Sequence, residues 1–519
     1  MDGAVLTFCS TPGRRVRGAA APVCLLFAIG AASISASCGG KGVASAEIRA
    51  LRIGARVTDE APSVIRSMLF AEALLSIDGH GRPMGRLASS WEWDEKGLTL
   101  VVHLTPGVKF HDDTPVTADV VTKILSRRIG KSEGFEAVKS IEPHDAQTLL
   151  FHLSRPDAFL LSALANIVIV DDKKPDIGTG PYRLVAQSPQ LVEAVRNNSY
   201  YRGTPGFERI TVTGYSTPRA VWAGLMKGTV DLALEINKES VEFLEGAAQF
   251  EKYTSIQPYY IPLVFNLRNP ILSRPEVRRA ISDAIDRKEI VAQGMRGGQV
   301  ADDPIWPLHW AYIAGAGATG RRDAPSASAA SLRLDGAGLP VRPATSSQRA
   351  SRFQLKCMFF NGDPQFERIA LLLQRQLAAV GIDLVPEGLP FNDVVSRIQK
   401  GQFDSYVFQL TSGRDLTWAY RLWHSPKGAL GAVRQNTGYD GADDVLDRLR
   451  QARDNDKDVR LAIADLRQRF YDDVPAVFLA WTETTRAVDA RFDIGDGAAP
   501  EILANMYKWR PATTQTATR

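Results

Sequence analysis

Cysteine is nearly absent from most of this 519-residue chain. Cys9, Cys24 and Cys38 crowd into the first 38 residues, and only Cys357 lies beyond them. The body of the chain therefore forms no intramolecular disulfide and must hold by packing. Cys357 sits in the strand-like run Phe353-Gln-Leu-Lys-Cys-Met-Phe-Phe360, where a small packed hydrophobe is expected rather than a nucleophile. Histidine is sparse too, with seven scattered residues. No HExxH, GxSxG, Walker-type or EF-hand pattern occurs, so no metal site or catalytic motif can be read off the sequence. His111-Asp112-Asp113 resembles a metal or acid–base cluster, but its place in a turn gives it a geometric role. Basic tracts are missing: Lys and Arg are spread along the chain and the net charge is +4, which gives no reason to propose nucleic acid. Gly315-Ala-Gly-Ala-Thr-Gly320 fits the dinucleotide pattern, but no apolar strand precedes it and no amphipathic helix follows.

One long apolar run is present. Arg14, Arg15 and Arg17 precede Gly18–Ser37, which is apolar or small throughout, and Ser35-Ala-Ser-Cys38-Gly-Gly closes it. Residues 1–37 are expected to be a secretory signal. A cysteine after small residues resembles the lipobox of a bacterial lipoprotein, which predicts lipidation at Cys38 and a flexible tether over 38–47. Simple cleavage nearby, or a membrane anchor, are the alternatives; the Ala, Gly and Ser content disfavours a span. The chain as a whole is 45% hydrophobic and 23% charged, ordinary for a globular protein, and it is too long for one core, so two or more domains are expected.

The most informative stretch is Leu104-Thr-Pro-Gly-Val-Lys-Phe-His-Asp-Asp-Thr-Pro-Val-Thr-Ala-Asp-Val-Val121. A strand leads into turns at Thr105–Gly107 and His111–Asp113, and Thr117 can cap a helix whose apolar face carries Val120, Val121, Ile124 and Leu125. These words resemble the signature of the bacterial extracellular solute-binding proteins of family 5, the binding components of peptide, nickel and opine ABC importers. Asp113 stands where that family usually has Gly. The resemblance continues in order through Arg86-Leu-Ala-Ser-Ser-Trp91, Gly178-Thr-Gly-Pro-Tyr182, Asn197-Asn-Ser-Tyr200, Lys227-Gly-Thr-Val-Asp231, Val277–Arg287, Ala379–Leu384 and Gly401–Asp404. It covers most of Glu72–Trp481. Among local expectations, Ser67–Pro83 reads as a helix followed by a polar turn, and Ser273 with Glu276 reads as a capping box.

The resemblance implies an α/β fold of two lobes, a type II, cluster C-like periplasmic binding protein with an extra subdomain and two hinge strands. Lobe one would be 48–262, with the subdomain at about 104–167. Lobe two would be 263–480, and 481–519 would return to lobe one. It also implies a function: a monomeric, lipid-anchored, non-enzymatic binding protein on the outer side of a bacterial membrane. It would close on a small solute, a peptide first, and hand it to an ABC permease. Opines, sugars and metal chelates remain alternative ligands, and no cofactor is implied. A secreted hydrolase, or a partner of a sensor or chaperone system, are alternative functions. Leu410–Tyr420 stands where peptide-binding members carry an aspartate for the peptide amine. Asp415 is the candidate ammonium partner, Arg414 a candidate for a carboxylate, and Trp418, Tyr420, Trp306 and Trp481 are candidate walls.

Overall fold

The computed structural model describes residues 49–56, 68–129, 132, 134–171, 173–315, 324–343, 350–425, 435–452, 456–499 and 502–512. The expected signal and tether with Cys38, and the Gly315–Gly320 pattern beyond Gly315, lie outside these residues.

Strand β1 (Ala50–Arg56) buries Leu51, Ile53 and Ala55. A separate body follows. Strands β2 (Leu75–Ile77) and β3 (Pro83–Gly85) form a hairpin. The Asp78 carboxylate holds its turn by accepting from the N–H groups of His80 and Arg82, each at 2.8 Å. Among the described residues of the Ser67–Pro83 stretch, where a helix and a polar turn were expected, only Met68–Phe70 are helical. Backbone groups beyond them are taken by distant partners: Glu72 O accepts from Ile169 N (2.8 Å), Leu74 O from Arg86 N (3.1 Å), and Ala73 bridges Val168. Tertiary pairing has overridden local helix propensity.

Strands β4 (Ala88–Trp93), β5 (Thr99–Leu104), β6 (Val138–Pro143) and β7 (Thr148–Leu153) form an antiparallel sheet in the order β4-β5-β7-β6. Helix Ala118–Leu125 starts at Thr117, whose hydroxyl accepts from Val120 N–H, and buries Val121, Ile124 and Leu125. A core of its own, from Leu74 to Ile169, makes this body a subdomain.

The signature turn docks the subdomain. His111 N–H donates to Gly178 O (2.8 Å), and its ring Nε2 lies 2.9 Å from Gly180 O. Burial pushes the His111 pKa down, so a neutral ring donating through Nε2 fits the site. A Cβ on Gly178 would stand 1.8 Å from Phe70 O, which is why this position takes only glycine. Asp113 holds φ at +65°. An L-residue there costs about 1–2 kcal/mol, and glycine's extra unfolded-state freedom gives back about 0.5–1. Asp113→Gly should therefore raise stability by about 0.5 kcal/mol, read as a higher thermal midpoint; a lower midpoint would contradict the strain argument.

The chain returns through β8 (Tyr182–Ser188), β9 (Leu191–Arg196), β10 (Arg209–Tyr215), helix Pro218–Met226 and β11 (Leu232–Ile236). β1 pairs in parallel with both β10 and β11. Asp231 locks this arrangement by accepting from Arg52 N (2.9 Å), Nε (2.9 Å) and Nη2 (2.6 Å). β12 (Phe250–Phe265) then leaves for the second lobe. There the chain forms β13 (Gln299–Val300), β14 (Phe353–Phe360), β15 (Ile382–Leu389), β16 (Ser405–Val407) and β17 (Leu410–Thr411), and β18 (Ala476–Asp489) brings it back. One sheet results, ordered β15-β14-β16-β12-β18-β11-β1-β10-β9-β8. Sixteen residues of β12 can reach about 50 Å, enough to run through both lobes.

Pairing between β12 and β18 is continuous over Phe250–Ile256, breaks, and resumes at Tyr260. Gln257-Pro258-Tyr259 is the break, and proline there offers no N–H to a partner. On each side of it the sheet is covered on both faces. Helices Pro275–Ala284 and Pro364–Ala378 bury one face of the second lobe; Phe391–Lys400, Asp443–Gln451 and Asp456–Asp473 bury the other. Cys357 is fully buried in β14, and burial pushes its thiol up to about 12, so it is inert as expected. The expected capping box is not formed: Pro275 occupies the first helical position, Arg274 becomes the N-cap, and Ser273 Oγ donates to Pro270 O (3.0 Å). Among the described residues no helix is long and apolar enough to cross a membrane.

Candidate functional site

The loop after β17 builds the site. Gly413 turns it at φ +66°, and a Cβ there would stand 2.5 Å from Trp418 Cδ1, so glycine lets the indole lie against the backbone. The Asp415 carboxylate accepts from the N–H (3.0 Å) and hydroxyl of Thr417, the first residue of helix Thr417–Trp423. This helix presents Trp418, Tyr420 and Arg421 to a cavity of about 300 Å³.

The opposite wall belongs to the subdomain: Glu136, Phe159, Ser162 and Asn166. Arg450, from helix Asp443–Gln451, closes the end. Phe159 meets Tyr420 edge to face at 5.5 Å. The Arg421 guanidinium lies 5.1 Å from the centre of Trp418, and Arg450 lies 5.2 Å from that of Tyr420. Tyr420 is backed by His424, stacked at 4.6 Å, and its hydroxyl donates to Asp447 (3.2 Å). Burial holds the Tyr420 phenol above its ordinary pKa, so it stays a neutral hydrogen-bonding wall.

Such a lining suits recognition. Aromatic faces give apolar area and hydroxyl, amide and guanidinium groups give orientation. Glu136 is engaged by Gly134 N–H (3.0 Å) and Arg450 Nη2 (3.2 Å). Among the described residues that line the cavity there is no histidine or cysteine. Among the described residues no cluster of His, Cys, Asp or Glu could hold a metal ion.

The structure sorts the sequence candidates into two groups. Trp418 and Tyr420 line the cavity. Trp306 and Trp481 do not; both are buried in the second lobe's core, Trp481 edge-on to Tyr260 at 5.4 Å. The Asp415 carboxylate is engaged by Thr417. The Arg414 carbonyl packs against Gly81, and its charge acts on buried Arg486, lowering that residue's pKa after the larger effect of burial. Phe159, Arg421 and Arg450 were not singled out from sequence. Phe159 and Arg450 belong to segments far apart in the chain, and no local pattern marks them.

Known proteins resemble the chain over most of its length. The sequence model of bacterial extracellular solute-binding proteins, family 5 Middle, matches residues 82–429. The oligopeptide-binding protein AppA of Bacillus subtilis is 24% identical over 495 residues, covering 87% of this chain and 88% of that protein. The probable D,D-dipeptide-binding periplasmic protein DdpA of Escherichia coli is 28% identical over 347 residues, 62% of this chain and 64% of DdpA. AppA in complex with a nonapeptide superposes with a TM-score of 0.71 at 22% identity, covering 90% of this chain and all of that one. NikZ of Campylobacter jejuni in complex with Ni(L-His) also gives 0.71, at 20% identity, over 89% of this chain and 99% of that one. Both structures share the two-lobed fold.

Proposed function

This chain belongs to the bacterial extracellular solute-binding proteins of family 5, and from that premise we propose that it captures a short peptide between its lobes for an ABC permease. One observation carries the reading: the cavity is walled jointly by the subdomain and the second lobe. It is complete only when the two face each other, so a solute touching both walls stabilises the closed form. The break at Gln257–Tyr259, opposite Thr482, is where we place the hinge. That is a few residues before the 262/263 boundary expected from sequence.

A volume of about 300 Å³ lies at the low end of small-ligand pockets, roughly 300–1,000 Å³. This favours a peptide of two or three residues, or a solute of that size, over a nonapeptide such as AppA holds. AppA and DdpA bear peptide-binding names, which supports a peptide first. The signal-like residues 1–37 and Cys38 support export and a lipid anchor outside the membrane.

A thermal-shift panel of dipeptides, tripeptides, a nonapeptide, opines and nickel–histidine tests the reading. A ligand at 100 times its Kd adds about 2.7 kcal/mol. Removing an aromatic wall should cost about 2 kcal/mol of binding, roughly thirtyfold, in Trp418→Ala or Tyr420→Ala. A dipeptide or tripeptide hit weakened by both substitutions is the expected result. A hit indifferent to both would place the solute elsewhere.

A further inference from the structure

Arg450 is part of the cavity wall and also part of the seam between the two walls. Its Nε donates to Asp157 Oδ2 at 2.8 Å, a second hydrogen bond runs from Nη2 to the same oxygen, and Nη2 reaches Glu136 at 3.2 Å. Its carbonyl accepts from Ala158 N–H at 2.8 Å. Asp157, Glu136 and Ala158 all come from the subdomain. The Asp157 side chain is 0% exposed and that of Arg450 6%. Arg155 Nη1, 3.6 Å from Asp157 Oδ2, adds charge from the solvent side. The other flank of the seam is weaker. There Arg82 meets Asp456 at 2.8 Å with side chains 44% and 51% exposed, and such pairs contribute little.

We propose that Arg450 couples the cavity to closure, the buried Asp157–Arg450 pair acting as the latch that holds the subdomain against the second lobe. The proposal rests on reading the cavity as the solute site. Opening the seam hydrates both charges. Closing it buries them, which costs little only while each compensates the other. Removal of Arg450 takes the shared cation from Asp157 and Glu136, and removal of Asp157 leaves Arg450 only Glu136, so either change drives the equilibrium open. Removal of both charges together lets the seam close again. A residue that merely supported the fold would show no such recovery.

Hydrogen exchange on the purified full chain, dialysed free of small molecules from denaturant, reads this directly. Trp310 N–H donates to His80 O (2.8 Å) across the seam, away from the altered pair, while Val264 N–H lies inside the second lobe's sheet. In Asp157→Asn and in Arg450→Met, exchange at Trp310 should rise at least about tenfold while Val264 is unchanged. Asparagine keeps the acceptor used by Phe159 N–H (3.2 Å). The double variant should return Trp310 to within about threefold of the wild-type rate. Unchanged exchange at Trp310 in both single variants would overturn the latch, as would a double variant more open than either. Recovery of bound solute by mass spectrometry is a separate readout. Its failure would remove the cavity reading while leaving the seam result intact.

Discussion

Replacing Arg467 with alanine is expected to destabilise the protein by about 3–5 kcal/mol, the cost of stranding a buried carboxylate. Arg467 Nε donates to Asp303 Oδ2 at 2.7 Å, and both side chains are buried. The same guanidinium donates to Ile313 O (2.6 Å) and the Tyr312 hydroxyl (2.9 Å), and covers the Tyr312 ring at 4.1 Å. It thus fastens segment 301–313 to helix Asp456–Asp473. Burial already raises the Asp303 pKa despite the opposing pull of Arg467. Without the cation, Asp303 must either stay charged in an apolar core or take up a proton. Denaturant unfolding at pH 7 gives the loss as a shift in midpoint. Pairing the change with Asp303→Asn should recover much of it, because asparagine still accepts from Ile305 N–H (2.9 Å) without a charge. A double variant no better than Arg467→Ala would show that the guanidinium matters for packing rather than for charge.

Acid should weaken the same segment by about 3 kcal/mol through His309. Burial first, and then the charge of Arg82, push its pKa from 6.5 down to about 4; Asp78 opposes this and Arg460 adds a lesser push in the same direction as Arg82. The hydrogen bonding agrees. Nδ1 accepts from Ala311 N–H (3.2 Å), so a proton on Nδ1 would face another proton. Between pH 6.5 and pH 4 the unfolded chain binds a proton that the native chain does not. Stability is therefore full above pH 6.5 and declines as pH falls toward 4. His111, also lowered by burial, adds in the same direction. His309→Asn should flatten the decline between pH 6.5 and 4 in pH-dependent unfolding. An unchanged slope would mean that His309 titrates normally in the folded state. Because Gly81 of the subdomain turn packs on the His309 ring, the acid effect should also loosen the seam.

Much of the fold is legible because the recurring words of the sequence are turns whose geometry admits few residues. Gly178 must be glycine because Phe70 O stands where its Cβ would be, and Asp231 must accept because Arg52 offers three N–H groups. Asn197 belongs to the same class: its side chain donates to Gly180 O (3.3 Å) and accepts from Ser199 N–H (3.2 Å). Such constraints are local, so they leave a local trace. The helix expected in Ser67–Pro83 does not continue past Phe70 because the backbone partners there, Arg86 and Ile169, are supplied from elsewhere in the chain.

The site was less legible for the same reason. Trp418 and Tyr420 stand out on one short helix near a glycine turn. Trp306 and Trp481 have the same composition signal, yet they are buried in the core. Aromatic identity does not separate a pocket wall from a core residue; only the opposing surface does. Arg450 and Asp157 are 293 positions apart, so the pairing that joins the two walls has no footprint in any window of sequence.

Native mass spectrometry of the protein purified from cells, before and after partial unfolding, tests the central claim most directly. Solute capture without chemistry predicts a non-covalent adduct of short-peptide size that is released on unfolding, rebinds after dialysis and is recovered at its original mass. A compound that binds and returns cleaved would contradict that account and identify the cavity as a site of hydrolysis.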